Sequence, residues 1–228
     1  YAPPNLQGTP AVRVGMLRRN MSTDPHAPAA ATPFAESTPL GLLGLAIGCA
    51  ALIPVALGKA ITPDAFRTAA WFCLLFGAGC QFLAGILALA NKNGLGGTLF
   101  LTFSFNWVMN WWSLSGIAEG RVPNHSVVFA VDVCFLIIFV VLSIAFAYAS
   151  KLLFAFLADI ILLYVFRIGK ALLPPADGAI FNMPIVLATV ALAGIALYLA
   201  FALLLNPAAG RVLLPIPGPL FTPKPPQQ

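Results

Sequence analysis

The chain has 228 residues, of which 60% are hydrophobic and 8% charged, against roughly a quarter charged in an ordinary soluble domain. A single core cannot hide so much apolar surface in so small a volume, which excludes a water-soluble globule; the same figures exclude a disordered chain, a coiled coil and a basic nucleic-acid binder. The net charge of +5, from 12 Lys and Arg against 7 Asp and Glu, reads as membrane topology.

Residues 1–38 are rich in Pro, Ala and Thr and lack periodicity, so they are expected to form a mobile or surface-lying tail. No apolar stretch of signal-peptide length follows Arg18 and Arg19, and Met21 is a candidate natural start. A bilayer core about 30 Å thick needs about 20 apolar residues of helix. Six stretches of that kind follow, at 39–58, 68–90, 95–117, 126–148, 152–168 and 182–206. The breaks between them hold Lys59, Pro63, Asp64, Arg67, Asn91, Lys92, Glu119, Arg121, Pro123, Lys151, Lys170, Pro174 and Pro175. Short connections imply antiparallel neighbours, and backbone in lipid must bond within its own segment, so the expectation is an all-α, polytopic bundle of six transmembrane helices over 39–206. Residues 207–228 read as a Pro-rich, extended C-terminal tail. An even number of spans puts both termini on one side. Arg13, Arg18, Arg19, Lys92, Lys151, Arg211 and Lys224 fall on that side and Lys59, Arg67, Arg121, Arg167 and Lys170 on the other, a bias that favours cytoplasmic termini.

Within the spans a few polar residues stand out. Asp132 lies near the start of the fourth and Asp159 midway along the fifth. Carboxylates at mid-bilayer cost about 2.5–3.5 kcal/mol on insertion scales, so Asp159 is a candidate proton carrier or gate, or else an acid hydrogen-bonded to its surroundings. Asp132 is expected to stay hydrated at the interface. Thr98, Thr102, Asn106 and Asn110 recur every fourth residue along the third span, one face of a helix. Such a stripe is costly against lipid, so it faces other helices or a wet lumen, with Gln81 as a candidate partner. Trp107, Trp111 and Trp112, with Tyr148 and Tyr164, suit an interfacial belt. Gly44 and Gly48, and Gly77, Gly79 and Gly85, mark close helix packing. Cys49, Cys73, Cys80 and Cys134 sit in apolar runs and read as buried free thiols. His26 and His125 lie outside the spans; no metal set, hydrolytic triad, phosphate loop or cofactor motif is apparent, and no enzyme activity is expected.

Three segments resemble a known family. Ser37-Thr38-Pro39-Leu40-Gly41-Leu42-Leu43-Gly44 is similar to the signature opening the first helix of the acetate uptake transporter family, the bacterial succinate–acetate permeases and their fungal relatives. Gln81-Phe82-Leu83-Ala84-Gly85-Ile86-Leu87, with Asn93, Gly96, Thr98, Asn106 and Trp107, is similar to its second-to-third helix passage. Leu197-Tyr198-Leu199-Ala200, Asn206 and Gly210-Arg211-Val212-Leu213-Leu214-Pro215-Ile216 are similar to its sixth helix and tail. The resemblance implies a hexamer of six-helix protomers in the bacterial cytoplasmic (inner) membrane. Each protomer would carry its own path for acetate, other small monocarboxylates or succinate, channel-like or proton-coupled. The family's narrow point would fall on Leu45, Phe103 and Asp159, with Gln81, Thr102 and Asn106 along the route. Departures are Glu36-Ser37 where the family has Asn-Pro, Ala88 and Leu203 where it has Glu, Leu45 for Phe and Phe103 for Tyr. The rival expectations are a membrane subunit or scaffold that kept the fold without conduction, held to unrelated subunits, and a channel for a neutral solute or ammonia.

Overall fold

The computed structural model describes residues 34–222. Most of the expected N-terminal tail therefore lies outside the described residues, and with it Met21, His26 and the three N-terminal arginines; so does Lys224. Among the described residues there are six long helices and no strand: α1 (Thr38–Ala56), α2 (Pro63–Ala90), α3 (Gly94–Ala118), α4 (His125–Ala147), α5 (Lys151–Leu172) and α6 (Asn182–Ala209). Side-chain caps set several of their starts. Thr62 Oγ1 accepts from the Ala65 amide at 3.2 Å, Asn93 Oδ1 from Gly96 at 2.9 Å, Asn124 Oδ1 from Val127 at 3.1 Å and Ser150 Oγ from Leu152 at 3.1 Å. At the entry to α1, where the family signature has Asn-Pro, the Glu36 carboxylate accepts from the Thr38 amide at 2.9 Å and Ser37 Oγ donates to the Ala84 carbonyl of α2 at 2.9 Å.

α5 runs one turn further than its apolar stretch, so Lys170 is a helical residue rather than a loop charge. It stops at Leu173, whose extended backbone is imposed by Pro174. Pro175–Gly178 and Ala179–Phe181 then form short helical turns leading into α6.

Among the described residues five segments are long and apolar enough to cross a membrane: Thr38–Ala56, Pro63–Ala90, His125–Ala147, Lys151–Leu172 and Ala176–Ala209. α3 is too polar to join them, although its 25 residues at about 1.5 Å each exceed the bilayer core. One face of α3, with Gly96, Phe100, Phe103, Ser104 and Trp107, is buried, and of its polar residues Ser104 lies on that face while Thr98 is exposed. The chain is a multi-pass helical membrane protein.

The helices follow one another around a ring in the order α3, α2, α1, α6, α5, α4; α4 scarcely touches α3, which leaves one open seam. Glycines set the tight side. A Cβ on Gly44 would overlap the Cys80 side chain and the Phe76 carbonyl of α2, and one on Gly77 would come within 2.6 Å of the Trp107 ring. Over Cys73–Cys80 α2 widens into a π-helical stretch, where it passes α1. Of the four thiols, all free, Cys49 and Cys73 are buried and Cys80 half-buried, whereas Cys134 is exposed on α4, against expectation.

The chain leaves α6 through Gly210 in the left-handed conformation, φ 61°. Asn206 Oδ1 then accepts from the Leu213 and Leu214 amides at 2.8 and 2.9 Å, while its Nδ2 donates to the Leu214 carbonyl at 2.8 Å. Further on, Ser150 Oγ donates to the Pro217 carbonyl at 2.8 Å and the Leu220 amide to the Ala147 carbonyl at 2.8 Å. The extended segment is thus strapped across the α4–α5 link.

Candidate functional site

Contacts between helices give the heights of their residues. Gly41 meets Phe100 and Gly48 meets Trp107, so α1 and α3 run parallel with Leu45 level with the Phe103–Ser104 turn. Ser104 Oγ donates to the Ala78 carbonyl at 3.0 Å and Gly85 meets Leu101, which brings Gln81 to the same height. Phe103 meets Phe139 of α4 with ring centroids 4.7 Å apart. α4 and α5 pair as an antiparallel hairpin in which Phe135 stacks on Tyr164 at 5.6 Å and Asp132 meets Arg167; that register sets Asp159 close to the level of Phe139. Leu45, Gln81, Thr102, Phe103 and Asp159 therefore gather at one level in mid-bundle, and Asn106 lies one turn away.

This level is closed by apolar side chains. Leu45 is 1% exposed, Phe103 4% and Phe139 0%. The rings of Phe103, Phe135, Phe139 and Tyr164 form a continuous cluster, with centroid separations from 4.7 to 5.8 Å. Within the same layers lie polar atoms that are buried without a hydrogen-bond partner: both ends of the Gln81 carboxamide, Trp107 Nε1, Tyr164 Oη and Asp159 Oδ2. An unmet buried polar group costs about 1–3 kcal/mol, so their concentration among the central side chains calls for an explanation. Asp159 itself is half-buried and lies close enough to the Cys49 thiol of α1 for the two to interact electrostatically.

A cavity of about 250 Å³ fills the seam between α3 and α4. Asn106, Asn110 and Trp112 line it from α3, Asp132 and Phe135 from α4, and Arg167 from α5. Pro123 and Asn124 bring it to the α3–α4 link, where a second cavity adjoins it beside Arg121, itself paired with Glu119. At its floor the Arg167 guanidinium makes a two-pronged pair with Asp132, Nε to Oδ2 at 3.1 Å and Nη2 to Oδ1 at 2.9 Å. Phe135 is both a wall of the cavity and a member of the aromatic cluster, so the cavity ends on the closed level.

Several sequence expectations change. Asp132 is not a hydrated interface residue: its side chain is 9% exposed and bound to Arg167. Trp107 and Tyr164 are core residues, 4% and 2% exposed, rather than members of a belt. Trp112 and Tyr148 are exposed at 49% and 51%. In the polar stripe Asn106 and Asn110 face the cavity, while Thr98 is exposed; Asn110 Nδ2 donates to the Asn106 carbonyl oxygen at 3.1 Å, a bond within α3 itself. Gln81 has no partner in that stripe. Sequence reasoning missed Phe135, Phe139 and the pairing of Arg167. The signal was the hairpin itself: Asp132 and Arg167 lie almost equally far from the Tyr148–Ser150 link, as do Phe135 and Tyr164.

No protein-family model matches the chain, and no curated protein matches it. Among solved structures it is similar to the bacterial acetate channel SatP, with 20% sequence identity and a TM-score of 0.70 over 80% of this chain and 99% of that one. The chain therefore has an acetate-channel-like fold.

Proposed function

We propose that the protein is a channel or transporter for small carboxylates such as acetate or succinate. The observation that carries this reading is the coincidence, in one layer of an acetate-channel-like fold, of a closed apolar level with buried polar atoms lacking partners. Such a layer admits a small acid that has shed most of its water, and the waiting polar groups replace part of the lost hydration as it passes. In this reading Leu45 and Phe103 form the narrow point, Gln81, Thr102 and Asn106 line the route, and Asp159 gates it or carries a proton. Protomers assemble as a hexamer in a bacterial inner membrane with both termini cytoplasmic, an orientation supported by the Lys and Arg distribution.

The test is uptake of radiolabelled acetate into proteoliposomes, with and without a pH gradient. Uptake above that of protein-free liposomes is expected; none in either condition defeats the reading. Asp159→Asn is expected to alter the pH dependence of flux, and flux unchanged at every pH removes Asp159 from the mechanism. A second reading, a non-conducting membrane subunit, is favoured by the complete burial of Phe139 and near-complete burial of Leu45 in the closed level. It predicts no flux of acetate or of a neutral solute, and stoichiometric copurification with unrelated subunits.

A further inference from the structure

We infer that the cavity between α3 and α4 is a carboxylate-binding site in which the free edge of the Arg167 guanidinium takes the ligand while Asp132 orients that guanidinium and offsets its charge. The inference rests on the proposed carboxylate function and adds a recognition residue to it.

A guanidinium carries five N–H donors in a rigid fork. Two of those on Arg167 go to Asp132, from Nε and Nη2. One face of the group is covered by the Tyr164 ring, with Cζ 5.3 Å from the ring centroid. The two partners differ in exposure: the Asp132 side chain is 9% exposed and that of Arg167 31%. Asp132 thus engages two of the five donors, three remain without a partner among the described residues, and both side chains line the cavity. A planar two-oxygen acceptor is the ligand such an edge recognises best. The other walls suit the rest of a short-chain acid, with the apolar side chains of Met109, Val131 and Phe135 beside the carboxamides of Asn106, Asn110 and Asn124. At about 250 Å³ the cavity lies below the roughly 300–1,000 Å³ of sites for drug-sized molecules, which restricts it to small ones.

Asp132 has a second consequence. A lone guanidinium in a partly dry pocket would grip an anion firmly, and a conduit needs a site that lets go. A carboxylate already bound to the same guanidinium weakens that grip. An ion pair that served only to join α4 to α5 would have no such effect on ligand affinity.

The experiment measures acetate affinity for the purified full chain in detergent by saturation-transfer NMR on the acetate methyl group, with acetamide as a neutral competitor of the same shape. Acetate is expected to bind and acetamide not to displace it at equal concentration. Asp132→Asn, which removes the offsetting charge, is expected to bind acetate about three- to tenfold more tightly. The double variant Asp132→Asn with Arg167→Gln, which leaves no buried charge alone, is expected to bind it at least about tenfold more weakly. Where that variant does not fold, Arg167→Lys keeps the charge, loses the fork and is expected to weaken binding several-fold. The inference is overturned if wild-type protein binds no acetate, if acetamide competes equally, if Asp132→Asn weakens binding, or if loss of the guanidinium fork leaves affinity unchanged. Acetate flux in proteoliposomes separates the two claims. Binding as described without flux defeats the transport reading and leaves the site standing; flux with an affinity indifferent to Arg167 does the reverse.

Discussion

Single side chains decide how tightly this bundle closes. Trp107, near the middle of α3, occupies the space that side chains at Gly48 and Gly77 would fill, which is why this indole is core and not belt. Gly44 faces a backbone carbonyl and the Cys80 side chain, neither able to retreat. Gly44→Ala is expected to cost about 1–3 kcal/mol, whereas Gly194→Ala, with nothing within 4 Å of the new methyl group, should leave thermal stability unchanged or slightly raised; melting curves in detergent compare the two. Phe139→Ala removes the ring shared by Phe103, Phe135 and Tyr164. It is expected to cost about 3–5 kcal/mol and, in the proposed route, to raise solute leakage, measurable as acetate flux from loaded liposomes. The glycines were legible in the sequence as marks of close packing, but nothing in the sequence showed which bulky residue each one admits, because that depends on how two helices are rotated against each other.

Whole elements repeat the lesson. The six spans were legible to within a few residues because hydrophobic length is a one-dimensional property, while the caps that set their ends needed only local residues such as Asn93, Asn124 and Ser150. The π-helical stretch of α2 has no such local signature; it lies where α2 passes α1. The C-terminal segment is an element in its own right, held chiefly by Asn206. Asn206→Ala removes three hydrogen bonds to Leu213 and Leu214 at about 1 kcal/mol each, so the segment is expected to become cleavable by added protease while the helices stay intact, as mass spectrometry of the digest will show.

At the scale of the molecule the charge pattern gains force. Arg167 is committed to Asp132, and Arg67 and Arg121 are paired with Asp64 and Glu119 at the same end of the bundle. Setting aside Arg167, which is paired within the bundle, sharpens the Lys and Arg excess at the end that carries the termini. In a chain whose native cysteines are replaced, Lys92→Cys is therefore expected to react with a membrane-impermeant maleimide only after cells are opened, and Lys59→Cys in intact cells. The reverse pattern would invert the topology and place the Arg167 cavity on the cytoplasmic side.

What the sequence by itself determined is membrane residence and the number of long apolar helices, since each follows from the transfer of local segments between water and hydrocarbon. Only the tertiary structure decided which residues meet. The Asp132–Arg167 pair joins side chains 35 residues apart, and the closed level draws Leu45, Gln81, Phe103 and Phe139 from four helices. Their meeting is set by helix rotation and register, which arise from the packing of the whole bundle and are written in no single segment of it.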